Sequence, residues 1–147
     1  MSKEKNHNHD EKNESKVIIL RIEKGNSIVE NIIKFCTDNK IYGAWVSGLG
    51  AVSTVTLGLY DLGLKKYHKK TLQGPFEIVN LVGNVGKMDE KIMTHIHLVL
   101  SDKKMNAFGG HLYEAKVAAT CEIKLEILDV EIIRKYNEET GLNLIDI

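Results

Sequence analysis

A strand that carries two histidines on one face most constrains the fold of this chain. Aliphatic residues recur at even positions from Ile92 to Leu100, and this period of two predicts a β-strand with one buried face. His95 and His97 then share the opposite face, roughly 7 Å apart at Cα by the strand rise. Two imidazoles so placed can bind one metal ion.

His111 is the candidate for a third ligand. It follows Gly109 and Gly110, and a glycine pair permits backbone angles that other residues resist, so we expect a turn that brings His111 beside the strand. Alternatively, His95 and His97 are ordinary polar residues of a half-exposed strand and the glycines form a turn with no role in binding. Spacing alone leaves both interpretations open, although three of the six histidines fall within seventeen residues.

Length and cysteine content indicate one domain in a reducing compartment. The 147 residues suffice for a core that needs no crosslinks. Cys36 and Cys121 both lie in apolar patterns far apart in sequence, which favours buried thiols over a disulfide. No run reaches the roughly 18 apolar residues of a membrane span, and the charged N-terminus has no apolar signal core. We expect a cytoplasmic protein with no membrane partner.

The charge balance argues against a dedicated nucleic-acid-binding protein. Twenty basic and twenty acidic residues give a formal net charge of zero, and Arg21 and Arg134 are the only arginines for base recognition. One basic run follows a predicted hairpin turn at Asp61–Gly63. It could contact phosphates, or it could be a solvent-exposed hairpin tip. The candidate phosphate contacts, which support DNA binding only weakly, are Lys65, Lys66, Lys69 and Lys70.

The N-terminal third of the chain predicts a tail, a strand and a helix. Residues 1–15 are almost wholly polar and are expected to be disordered, which leaves residues 16–147 as a single domain. Lys16–Ile22 has apolar residues on both faces and predicts a strand covered on both sides. A capping box at Ser27–Glu30 predicts the start of a helix that ends near Asn39.

The remaining apolar patterns predict strands joined by short turns. A glycine-rich turn at Ser47–Val52 is expected to follow a strand that ends at Val46. Pro75 is expected to begin another strand, Phe76–Val85, where its missing N–H costs nothing. Residues 131–147 show no pattern that assigns them to an element. Successive strands with one clear helix predict an α+β domain on an antiparallel or mixed sheet.

Five motifs together resemble the plants-and-prokaryotes-conserved (PPC) domain, which plant AT-hook nuclear proteins also carry. They occur in order and at sensible spacing, and the resemblance covers about residues 16 to 130. The motifs are VSGLGAV (46–52), FEIVNLVGNV (76–85), THIHLVLSD (94–102), GGHLYEA (109–115) and CEIKLEIL (121–128).

The resemblance implies a fold, an assembly and a metal. The fold is α+β, with a largely antiparallel, twisted sheet of about seven strands flanked by helices, and the assembly is a homotrimer. In stand-alone prokaryotic members the HxH and GGH motifs look like a zinc-type site, which implies zinc or a similar divalent transition metal on His95, His97 and His111. This chain lacks the Arg-Gly-Arg-Pro hook of the plant proteins, so a DNA-binding role rests on analogy alone.

Two functions remain compatible with these residues. One is a trimeric regulatory module that binds protein partners or nucleic acid, with the metal as a structural or sensing element. The other is a metal-dependent hydrolase or lyase that uses an open coordination position. Its candidate catalytic bases are Glu114 and Glu77. Alternatively, Glu114 is an exposed carboxylate at a strand edge, and Glu77 forms a structural ion pair or an interface contact. Because no acid–base pair or substrate motif is visible, we favour the regulatory module.

Overall fold

Residues 16–146, which the computed structural model describes, form a five-stranded antiparallel sheet, one helix and a two-stranded hairpin. The predicted tail, residues 1–15, lies outside the described residues. The strand order is β1-β5-β2-β3-β4, and a further pairing of β4 with β5 closes β2 to β5 into a ring. In chain order the elements are β1 (Lys16–Glu23), α1 (Ile28–Asp38), β2 (Ala44–Asp61), β3 (Lys66–Met88), β4 (Lys91–Ser101), β5 (Ala107–Ile127), β6 (Arg134–Asn137) and β7 (Leu142–Ile145).

The core is aliphatic and joins α1 to one face of the sheet. Ile96, Leu98 and Leu100 of β4 are at most 2% exposed, which confirms the predicted alternation. The helix begins as predicted, because the Ser27 Oγ accepts a hydrogen bond of 3.1 Å from the backbone N–H of Glu30. Ile28, Ile32 and Cys36 of the helix are fully buried among the sheet residues, and Asn39 caps its C-terminus.

The strands are longer than the sequence predicts. The expected turn at Ser47–Val52 is wrong: β2 passes through it and absorbs the irregularity as register shifts at Gly48/Gly50 and Val52/Thr54. Such shifts are β-bulges, which bend a strand without ending it. The prediction that Pro75 begins a strand is also wrong, since β3 runs through it. Pro75 falls in the second register shift, where no ladder hydrogen bond is required of it.

The described residues are more β-rich than the predicted α+β class. The expected sheet of about seven strands is a five-stranded sheet with a separate two-stranded hairpin, and one helix stands in place of flanking helices. The expectation that β1 is covered on both faces is not met within one chain, because Val17 and Ile19 are 49% and 68% exposed. The C-terminal residues, which sequence patterns left unassigned, form the β6–β7 hairpin. Within residues 16–146 no helix is long and apolar enough to cross a membrane.

Candidate metal site

The three histidines meet on one face of the paired strands β4 and β5. His97 and His111 are directly opposed in the antiparallel register, and His95 lies two residues earlier on the same face. One potential ligand atom from each ring lies within 4.8 Å of the others. The ring centroids are 5.2 to 5.5 Å apart. The structure therefore brings the predicted trio together.

The predicted turn at Gly109–Gly110 is wrong, and strand pairing positions His111 instead. Both glycines lie inside β5, and the chain reverses at Asp102–Asn106. There the Asp102 Oδ1 accepts backbone hydrogen bonds of 2.8 and 3.0 Å from Lys104 and Asn106. A Cβ added to Gly109 would collide with the carbonyl oxygen of Leu98 on β4. Glycine is needed here for the close approach of two strands.

His95 and His111 lie in an environment that disfavours protonation of their rings. Burial, with the nearby charges of His95, His97, Lys69 and Arg134, lowers the pKa of His111 to about 4. Burial and the adjacent Arg134 also lower the pKa of His95. Neutral imidazole is the form that binds a metal ion. His111 Nδ1 is buried and has no hydrogen-bond partner among the described residues, so a donor set of three imidazoles with an unused ring nitrogen fits a divalent transition metal.

Two tyrosines that the sequence analysis missed fix the ring of His111. The rings of Tyr67 and Tyr113 lie 5.0 and 4.9 Å from it, centroid to centroid, and contact each other edge to face. Tyr113 is two residues beyond His111, so strand periodicity could have placed it on the same face. Tyr67 comes from β3, and its proximity depends on the three-dimensional path of the sheet.

Arg134 is a third residue whose place at this site the sequence analysis missed. It is 6% exposed, and its guanidinium donates to the Asn84 Oδ1 at 2.6 Å and to the carbonyl oxygen of Asn143 at 2.9 Å. Its Nη2 also lies 3.5 Å from His95 Nδ1. No local pattern could have revealed this residue, because it reaches the site only through the docking of the β6–β7 hairpin.

A cavity of about 590 Å³ separates the histidines from that hairpin. His95 and His111 line one side, and residues of β7 line the other. Neither candidate base lines it. Glu77 is exposed on β3, and the Glu114 Oε1 accepts a hydrogen bond of 2.9 Å from the backbone N–H of the next residue.

The candidate DNA-contacting lysines lie at the β2–β3 turn and the start of β3, outside the histidine group. All four are exposed, but two of them contact other parts of the chain. The Lys65 Nζ donates to the carbonyl oxygen of Glu138 at 2.6 Å, and the Lys69 Nζ lies 3.7 Å from the centroid of the Tyr113 ring. Lys66 and Lys70 complete the set.

Fold and site together define a class of protein: an antiparallel β domain that presents a group of three histidines where two paired strands meet. The chain belongs to the Plants and Prokaryotes Conserved (PCC) domain family, whose model matches residues 9–129. This is the family that the sequence motifs resemble.

Three solved structures illustrate the similarity. A protein of Archaeoglobus fulgidus described as metal-containing is 38% identical, with a TM-score of 0.83 over 90% of this chain and 94% of its own. A Bacteroides thetaiotaomicron protein, described as having a proposed DNA-binding role, is 32% identical, with a TM-score of 0.85 over 88% and 91%. A plant- and prokaryote-conserved protein of Pyrococcus horikoshii is 28% identical, with a TM-score of 0.83 over 89% and 91%. Comparison with curated proteins gives no match.

Proposed function

We propose that this protein is a metal-binding regulatory module whose ion is zinc or a similar divalent transition metal. The observation that carries the proposal is the convergence of His95, His97 and His111, with one ligand atom of each within 4.8 Å of the others. Three protein ligands are typical of zinc sites that keep one coordination position open. The A. fulgidus relative described as metal-containing gives independent support.

Metal content of the purified protein tests this proposal. Protein prepared without chelator should retain about one ion per chain, and His97→Ala should lower the retained fraction sharply because it removes one ligand. The matched control is His68→Ala, which removes an exposed histidine 3.4 Å from Asp61 on the β2–β3 hairpin. Full occupancy in the double variant His95→Ala/His97→Ala would contradict the proposal.

We prefer the regulatory function to an enzymatic one because the residues around the histidines do not include a catalytic base. A metal-dependent hydrolase or lyase needs a base or acid beside the metal-bound substrate. Glu77 and Glu114 do not line the cavity, and within residues 16–146 its lining includes no carboxylate. The metal would then have a structural role, or it would sense a ligand bound in the cavity.

The homotrimer is part of the same proposal. Several large apolar residues are exposed on the sheet face that points away from α1, which we call the outer face. A neighbouring subunit would remove this apolar area from water, which favours association. The outer-face residues are Val17, Ile19, Trp45, Leu49, Val82 and Val99.

For DNA, we infer at most weak binding. Two solved relatives are described as having proposed DNA-binding roles, but this chain has no net charge, and charge neutralisation dominates DNA affinity. Two of its four candidate lysines, Lys65 and Lys69, already contact other groups of the chain. Protein partners are compatible with the same exposed outer face.

A further inference from the structure

The cavity beside the histidines contains a buried positive charge without a matching negative one. Arg134 lines the cavity and is 6% exposed. Among residues 16–146 it forms no ion pair, and its Nε–H is buried without an acceptor. Arginine stays protonated in proteins, and a buried charge is costly unless it is paired. The positive charge of Arg134 therefore lacks an anionic partner among the described residues.

The partners that Arg134 does have are neutral. Its guanidinium donates to the Asn84 side-chain oxygen and to the Asn143 backbone carbonyl, and its third polar contact is the His95 Nδ1 at 3.5 Å. These contacts hold the guanidinium in place between β3 and the hairpin but do not neutralise it. A guanidinium has more N–H donors than these contacts use, and its planar fork matches a carboxylate.

A metal ion on the histidines would increase the positive charge of the cavity. Arg134 lines the cavity, and the Lys69 Nζ lies 3.7 Å from the centroid of the Tyr113 ring, which also lines it. The described lining offers no carboxylate to balance them. An anion that contacts both the open metal position and Arg134 would balance this charge.

The rest of the lining indicates what kind of anion fits. The hairpin side presents Leu142, Leu144 and Ile145, and Tyr67 and Tyr113 add aromatic surface. A volume of about 590 Å³ lies within the range of small-molecule sites, and mostly apolar walls with a few fixed polar groups are typical of them. Inorganic phosphate would leave the apolar walls without a partner.

We propose that this cavity binds a small organic carboxylate, with Arg134 holding the carboxylate group and the β7 side chains covering an apolar or aromatic substituent. This proposal rests on the metal site proposed above, and it identifies organic carboxylates as the ligands that the site senses. The site would report the presence of an organic acid through the position of the β6–β7 hairpin, which supplies both Arg134 and the apolar cover.

Calorimetric titration of the zinc-loaded protein with benzoate tests the proposal. Benzoate should bind at one site per chain, and benzamide, its neutral counterpart, at least about tenfold more weakly. Arg134→Gln should weaken benzoate binding about tenfold or more, because charge-assisted hydrogen bonds are lost. The matched control is Arg21→Gln, which changes the other arginine, exposed on β1, and should bind like the wild type.

A second variant is needed because Arg134→Gln could weaken binding by disturbing the hairpin. Leu144 is 40% exposed and lines the cavity, so Leu144→Trp should fill the space and weaken benzoate binding while zinc content stays unchanged. Wild-type benzoate affinity in both Arg134→Gln and Leu144→Trp would overturn the proposal, as would equal affinity for benzamide or tighter binding of inorganic phosphate.

Zinc content, measured on every sample, separates this inference from the proposed function. Full zinc content with no benzoate binding would overturn the carboxylate site and leave the metal site standing. Absence of zinc with benzoate binding that still depends on Arg134 would overturn the metal site and support the carboxylate site.

Discussion

His111 shows how single residues create the site. Its ring contacts the rings of Tyr67 and Tyr113, and burial lowers its pKa to about 4, so its nitrogens are free of an added proton near neutral pH. His111 reaches the other two histidines through the β4–β5 pairing and not through the expected glycine turn, whereas His95 and His97 could be predicted from the sequence because strand alternation places both on one face. Arg134 could not, because its role depends on a contact with Asn84, fifty positions earlier in the chain.

The two cysteines give a prediction at the same scale. Cys36 and Cys121 are fully buried, as the sequence predicts, and burial raises their pKa values from 9.0 to about 11 and about 12. Near pH 8 both thiols should therefore resist a thiol-specific reagent until the protein unfolds, since the thiolate is the reactive form. An exposed Ser53→Cys variant is the positive control and should react at once. Rapid reaction of both native cysteines in the folded protein would contradict this.

The same pKa values set a stability trend at high pH. Below about pH 8 the thiols are largely protonated in both states and contribute little pH dependence. Between pH 9 and about 11 the unfolded chain loses thiol protons that the folded chain keeps, so these two groups should lower the free energy of unfolding as pH rises. Denaturant titrations of the wild type and of Cys36→Ala/Cys121→Ala over this range should show a shallower decline in the variant.

The β4–β5 pair is the element that holds the site. It closes the ring of strands and sets His97 opposite His111. Alternation predicts the buried face of β4, but glycine-rich stretches predict turns and Pro75 predicts a strand start at positions where the structure has β-bulges or a close approach of two strands. The hairpin strands β6 and β7 have only four residues each, too few for a periodic signal.

Substitution of Gly109 tests the role of this strand pair. Because a Cβ would collide with the Leu98 carbonyl oxygen, Gly109→Ala should destabilise the fold by about 1–3 kcal/mol and weaken metal retention by displacing His111. Denaturant unfolding and metal analysis measure the two effects. Gly63→Ala is the matched control, since a Cβ there meets only the Asp61 Oδ1 at an ordinary 3.4 Å. Equal effects of both substitutions would contradict the account.

At the scale of the whole molecule, the outer face and the balanced charge determine how the protein associates. A chain with no net charge and exposed apolar residues on one sheet face is prone to associate. His97 is opposed to Val82 in the β3–β4 register, so the histidine group borders that face. The assembly and the metal site would therefore be neighbours.

Sedimentation equilibrium tests the assembly. At micromolar concentration the wild type should sediment at three times the 16.5 kDa mass of the chain. Trp45 is 47% exposed on the outer face, so Trp45→Glu should place a charge in the interface and shift the protein toward monomer. Lys24→Glu reverses a charge on the exposed turn after β1, outside the outer-face residues, and should leave the trimer intact. A wild-type monomer at this concentration would refute the assembly.

The charge balance predicts weak DNA binding. With few phosphates neutralised, the dissociation constant for duplex DNA should be no tighter than about 10⁻⁵ M near physiological salt. Changing Lys65, Lys66, Lys69 and Lys70 to glutamine should remove most of the binding, measured with labelled duplex at two salt concentrations. Sequence-selective nanomolar binding that survives these changes would restore a DNA-binding function.

The central claim is that His95, His97 and His111 bind one zinc-type ion. X-ray absorption at the metal edge of protein purified without chelator tests it most directly, because it reports the ligands themselves. The account predicts a shell of nitrogen or oxygen atoms at about 2.0–2.1 Å with the scattering of about three imidazoles, lost in His95→Ala/His97→Ala. A sulfur shell at about 2.3 Å, or a spectrum unchanged in that variant, would contradict it.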